Sequence, residues 1–400
     1  MSSSDKRNTL IFKVALLSST FLITGASATS VLLPSLTKAF PEISKAEIQS
    51  FFSITALPQF LALLLAGFLA SKFGKRNVIL FGALLWTISG LLPMTLDNFP
   101  AILISRIFLG VSLGLIQPIG TSMIADFYTG DQRAALMGIQ SAIIGISGTV
   151  LTYAIGILLT IGWRYAFLIY LVGLIVFLLT LLFLPRHITS TETASNISTD
   201  SEPESKHLGK EIITWVVLTL FFNLGQGGIN IDFNLAVVEQ HITNATGAAN
   251  MMVIYSLFGL ITGLLFGVYI KFTKNYGGII AAGLFLIGNL IVATTSTVTT
   301  YNIAMIFTGA GFGLFMPYML TTVNKHTTVA NSAYATSATT AAASLGNFVC
   351  PYVYSFLAKL CGNDSSQFAF YFSSAFTLVL LIGLVFVYSS EKHSAQQIVA

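Results

Sequence analysis

The 400-residue chain carries 19 Lys and Arg against 15 Asp and Glu, yet charged residues make up only 8% of it and hydrophobic residues 54%. A soluble domain holds about 25% charge, so the composition excludes a soluble globular protein and points to one that crosses a membrane many times. The net charge of +4 gives no basis for nucleic-acid binding, because the basic residues are scattered along short loops.

Apolar runs long enough to cross a bilayer as helices, about 20 residues each, recur twelve times. They lie at roughly 11–34, 48–71, 77–96, 100–125, 134–160, 163–184, 212–237, 248–270, 277–297, 301–323, 332–358 and 367–389. The polar, slightly basic N-terminus leads into an apolar run too long for a cleaved signal, so this run reads as a retained first span. The one long polar stretch, Arg186–Glu211, is rich in Ser, Thr and Glu and reads as a flexible linker. The predicted organisation is an N-terminal six-helix bundle (1–185), a cytoplasmic linker (186–211) and a C-terminal six-helix bundle (212–400). Placing the N-terminus in the cytoplasm leaves 14 Lys and Arg inside and four outside, namely Lys38, Lys45, Arg164 and Lys359. That bias supports an even number of spans with both termini inside.

The spans differ in polarity. In the first, Thr20, Thr24 and Ser27 share a helix face. The fourth holds Arg106, whose insertion costs roughly 2.5–3.5 kcal/mol. Gly110, Gly114 and Pro118 come next at four-residue spacing, a pattern that lets a second helix approach closely. Gln117 and Thr121 continue the Arg106 face. Asp126 ends this span, near Asp131 and Arg133, as a gate or cap. The sixth and twelfth spans are apolar nearly all round, as lipid-facing helices are. In the seventh, Asn223, Gln226, Asn230 and Asn234 fall on one face, with Asp232 about 180° away on an ideal helix. Glu239 lies near the outer surface. The tenth carries Gly309, Gly313 and Pro317, each 199 residues after its counterpart in the fourth. The eleventh has a stripe of Thr340, Ser344 and Asn347. The same offset relates Thr20, Thr24 and Ser27 to Thr219, Asn223 and Gln226. These offsets imply an internal repeat of half the chain. The polar stripes need water, a ligand or another helix, and a cavity on a pseudo-two-fold axis accounts for them.

On these residues the whole chain resembles the major facilitator superfamily of secondary transporters. The most specific local match is the loop after the second span, where Gly67, Gly74, Lys75 and Arg76 stand where that family's cytoplasmic signature has them. Ser71 takes the place of its usual aspartate. Gly267 and Lys271 form a worn second copy. Arg106 through Gly114 is similar to the fourth-span signature, whose arginine is linked to proton transfer in the family's drug–proton antiporters. The fifth span departs from the exporter pattern, having Gly145 and Gly148 but no adjoining proline. The resemblance implies an all-α fold of twelve transmembrane helices in two pseudo-two-fold-related six-helix bundles, and alternating access driven most simply by protons.

For Arg106 two readings stand open: a structural role holding carbonyls or a buried partner, or contact with an anionic substrate or a proton-carrying acid. Expected cavity residues are Thr20, Thr24, Ser27, Arg106, Gln117, Asn223, Gln226, Asn230, Thr340, Ser344 and Asn347. Arg106, Asp232 and Asp126 are the coupling candidates. The expected gating and bending set is Gly67, Ser71, Gly74, Lys75, Arg76, Gly110, Gly114, Pro118, Arg133, Gly309, Gly313 and Pro317. No catalytic constellation occurs, and all five histidines fall in loops or tails. Cys350 and Cys361 have no metal-ligand spacing, so no cofactor or metal is expected. The expectation is a monomeric transporter of a small organic solute in the cell membrane, with a slight lean to an organic anion or metabolite. Export of amphipathic drugs is the alternative, and a transporter-derived sensor the reading from another class.

Overall fold

The computed structural model describes residues 9–128, 130–185, 210–325 and 329–399. The predicted linker falls almost wholly outside these residues, at 186–209. Every regular element among the described residues is helical. In hydrocarbon, a chain satisfies its backbone groups within each segment only as a helix. Against the twelve predicted spans, ten helices among the described residues are long and apolar enough to cross a membrane, and a bent pair brings the number to eleven.

Ten spans are long, apolar helices. They are α2 (Lys45–Phe73), α3 (Lys75–Met94), α4 (Phe99–Phe127), α5 (Gly130–Leu158), α6 (Tyr165–Phe183), α8 (Ala245–Leu264), α9 (Gly277–Thr294), α10 (Val298–Lys325), α11 (Val329–Cys361) and α12 (Ala369–Val399). The first span, α1, is a pair of helices, Leu10–Leu22 and Gly25–Ala39, bent by 46°. The seventh, α7, runs Lys210–Gly227, passes through a π-helical turn at Gly228–Asp232, and resumes as Phe233–Glu239. Gly225, Gly227 and Gly228 cluster at that turn, where a helix without Cβ atoms is easiest to distort.

The internal repeat is visible in the packing. A Cβ built on Gly110 would overlap the Thr55 carbonyl, and one on Gly114 the Gln59 carbonyl. In the second half, Gly309 meets the Tyr255 carbonyl and Gly313 the Gly259 carbonyl in the same way. Thus α4 lies on α2 as α10 lies on α8, backbone against backbone. Pro118 and Pro317 sit inside α4 and α10, where each removes one backbone donor and favours a bend.

The described chain divides into two compact units. One comprises residues 1–26, 54–147 and 167–209, and the other 27–53, 148–166 and 210–400. Besides the border at 209/210, the unit borders cut α1, α2, α5 and α6. In the second unit, the 27–53 and 148–166 segments of the first half pack with the whole described second half. Thr246 Oγ1 donates to the Gly156 carbonyl at 3.1 Å, and Asn234 Nδ2 to Ser30 Oγ at 3.4 Å.

Candidate functional site

In the first unit, amides and hydroxyls from four helices meet. Gln140 on α5 donates to Thr121 on α4 at 3.1 Å and to Thr20 on α1 at 3.4 Å. Gln59 on α2 donates to Gln117 on α4 at 3.2 Å, and the hydroxyls of Thr24 and Ser147 lie 2.8 Å apart. Of the expected cavity residues, Thr20 is thus bonded to Gln140, Gln117 to Gln59 and Thr24 to Ser147. Ser27 comes after the α1 bend and is exposed.

Arg106 lies elsewhere. It is fully buried, and its guanidinium donates to the Tyr170 hydroxyl at 2.8 Å. The guanidinium carbon sits 5.0 Å from the Phe167 ring centre and 5.3 Å from that of Tyr170, cation–π geometry that stabilises a cation away from water. Tyr170 donates in turn to the Gly25 carbonyl at 3.1 Å. Gly25 opens the second arm of bent α1, so Arg106 braces α6 and, through it, the bend. Gln117, expected on the same face, points into the separate amide network.

At the other end of α4, Lys75 reaches both oxygens of Asp126, at 2.8 and 2.6 Å. Arg76 is buried and donates to the Leu181 carbonyl at 2.7 Å, tying α3 to α6. Gly74 has φ +85° and ψ 139°, a conformation that only glycine adopts without strain. Gly67 is exposed, with open space where a Cβ would go. Ser71 and Arg133 are also exposed. The signature loop thus divides into structural members, Gly74 to Arg76, and surface members.

In the second unit, Asn347 on α11 donates to Asn223 at 3.2 Å, and Gln226 donates to the Tyr255 hydroxyl at 3.1 Å. Asn230, Thr340 and Ser344 are half-buried. Aromatic rings flank this stripe: Phe222 stacks on Phe315 at 4.2 Å between centres and lies 5.5 Å from Phe285, and Tyr255 lies 5.8 Å from Phe312.

The π turn re-aims the later residues of α7. A straight helix would put Asp232 opposite the Asn223 stripe; one extra residue in the turn advances the next residues by about 100°. Asp232 is 2% exposed, and its Oδ1 accepts from Gln49 Nε2 at 2.6 Å. Its Oδ2 has no hydrogen-bond partner among the described residues. Asp232 lines a cavity of about 280 Å³, with Gln49 and Tyr354 also on its floor and exposed Ser44, Lys359 and Asp364 at its rim.

Sequence periodicity missed Gln49, Gln59 and Gln140. Gln49 and Gln59 stand far apart on α2, and Gln140 has only Gln132 before it on α5, so no stripe of one helix face announces them. The usable signal was simply an amide in an otherwise apolar span, which is costly unless bonded.

A family description, Major Facilitator Superfamily, matches residues 15–275 and again 215–399. The chain is similar to the Quinolone resistance protein NorA of Staphylococcus aureus. With the strain MSSA476 protein it shares 30% identity over 189 residues, 46% of this chain and 48% of that one. That match spans about half of the relative's length. With the strain MRSA252 protein it shares 27% over 310 residues, 74% of this chain and 77% of that one. Among solved structures, the D-xylose-proton symporter superimposes with TM-score 0.74 at 19% identity, covering 94% of this chain and 97% of that one. The nucleoside transporter NupG does so with TM-score 0.75 at 12% identity, covering 94% and 99%. At these identities the structural likeness establishes the fold.

Proposed function

The chain belongs to the Major Facilitator Superfamily, a multi-pass membrane transporter rather than an enzyme, and we propose that it exports amphipathic organic compounds in exchange for protons by alternating access. The observation that carries this reading is the character of the polar contacts. Among the expected cavity residues other than Arg106 they are neutral amides and hydroxyls in both units, and around α7 they are interleaved with aromatic rings. Such a lining suits a flat, partly apolar cargo held by a few hydrogen bonds. The similarity to quinolone resistance proteins supports the same cargo class. The organic-anion reading drew on Arg106 meeting substrate, and Arg106 is enclosed by Tyr170 and Phe167 instead.

The candidate substrate contacts fall unit by unit: Thr20, Thr24 and Gln117 with Gln59 and Gln140 within the first, and Asn223, Gln226, Asn230, Thr340, Ser344 and Asn347 within the second. Asp232 is the proton carrier. It is a buried carboxyl with an unbonded oxygen, set at a π turn on a cavity that reaches exposed residues. Asp126 is a poorer carrier because both its oxygens are held by Lys75. The two halves act as six-helix bundles (1–185 and 212–400) in a monomer of the plasma membrane, with both termini cytoplasmic. The face carrying Lys45 and Lys359 is then the outer one.

Proteoliposomes with an imposed pH gradient test the reading. The expected result is gradient-driven movement of fluorescent amphipathic cations and neutral aromatics, each competing with the other. Movement of small carboxylates with the amphiphiles inert contradicts it.

A further inference from the structure

Glu239 and Asp232 lie seven residues apart on α7, two helical turns, and α2 presents two side chains one turn apart to meet them. Lys45 Nζ sits 3.0 Å from Glu239 Oε1 and donates to the Asp364 carbonyl at 2.5 Å. Four residues on, Gln49 holds Asp232 Oδ1 at 2.6 Å. The upper rung is well supplied, since Ser366 gives Glu239 two more hydrogen bonds, at 2.8 and 3.0 Å. The lower rung is not, because Gln49 is the sole protein donor to Asp232 among the described residues.

We propose that Lys45 is a positioning residue for proton exchange at Asp232, acting with Gln49 as a two-rung clasp whose closing and opening changes the charge environment of the carrier. The proposal rests on the reading of Asp232 as the proton carrier and assigns the group that ties its proton to the state of the outer face. Lys45 and Gln49 ride on one helical turn, so they arrive at α7 together and leave together. With the clasp closed, Asp232 has an amide donor in contact and an ammonium close by. With it open, both are gone and the cavity is wide to the medium.

The charged and titratable groups around Asp232 are few. Lys45 on α2 and Glu239 on α7 are the charges whose fields reach it, and Cys350 and Tyr354 on α11 feel its own. Lys359 and Asp364 stand at the exposed rim of the same cavity. From α12, Ser373 contributes only a neutral hydroxyl, bonded to the Gly225 carbonyl. Among the described residues, Lys45 is therefore the cation on α2 whose charge reaches the carrier.

The test is the pH profile of gradient-driven transport in proteoliposomes, read for the wild type, Lys45→Met, Lys45→Arg and Glu239→Gln, with Asp232→Asn run in parallel. A carboxylate that loses a neighbouring cation holds its proton more tightly. The limb of the profile that reports carrier protonation should therefore move to higher pH by about half a unit or more in Lys45→Met. It should stay in place in Lys45→Arg and move the opposite way in Glu239→Gln. Asp232→Asn should lose gradient-driven transport while keeping substrate-for-substrate exchange. Profiles of Lys45→Met and Glu239→Gln that overlay the wild type, with Asp232→Asn inactive as expected, overturn the clasp and leave the carrier standing. An Asp232→Asn protein still driven by the gradient overturns the carrier, and the clasp with it. If Lys45→Met does not fold, Glu239→Gln reads the same field from the opposite side.

Discussion

Arg106 shows how far a single costly residue can be interpreted from its chemistry. An arginine inside an apolar span must be bonded, and it is, to Tyr170 and the faces of two rings. Which partner it takes depends on a residue 64 positions away in sequence, and no local pattern encodes that. A guanidinium stacked on rings is poorly replaced by an ammonium. Arg106→Lys should therefore lower the melting temperature in detergent and impair transport even with the charge kept. Tyr170→Phe removes only the hydroxyl that links Arg106 to Gly25, and should cost about 1–3 kcal/mol of stability in thermal or denaturant unfolding. An unchanged melting temperature in both variants would show that the brace at the α1 bend contributes nothing. The same scale explains why Gln49, Gln59 and Gln140 went unseen. Amides this widely spaced mark no helix face, and their importance lies in what they meet across the helix interface.

Helix packing was far more legible. The four-residue spacing of Gly110 and Gly114, repeated at Gly309 and Gly313, predicts two close helix pairs, and the structure has both, with carbonyls where Cβ atoms would go. Gly114→Leu and Gly313→Leu should each be destabilised by about 1–3 kcal/mol or more and lose transport, as read by melting temperature and flux. Gly67→Ala, placed in open space, should leave both near wild type. Gly74→Ala should be the more damaging change in the signature loop, because its backbone conformation is closed to other residues. Where element geometry departs from the ideal, sequence reading fails. The Asn223 face projects correctly along the first part of α7, but the π turn at Gly228–Asp232 rotates the rest of the helix away from that projection. The clustered glycines hint at a distortion there without telling its sense or size.

Across the whole molecule, hydropathy predicts twelve spans, of which ten helices and a bent pair are long and apolar enough to cross a membrane, and the bias of basic residues predicts which loops share a side. The contacts of Lys45 with Glu239 and with the Asp364 carbonyl join three loops on one face, as an even number of spans between them requires. What hydropathy cannot supply is the cargo. Lean charge and abundant aromatics permit several solutes. The proposed reading of an amphipathic cargo rests on two placements: Arg106 stands apart from the amide network, and aromatic rings flank the polar stripe of α7. The central claim, that cargo and proton compete through Asp232, is tested most directly by adding a transported aromatic amphiphile to purified protein in weakly buffered detergent solution and recording pH. The account predicts proton release on binding by the wild type, saturating with cargo, and none from Asp232→Asn that still binds the same compound. No release from the wild type, or equal release from both proteins, would contradict it.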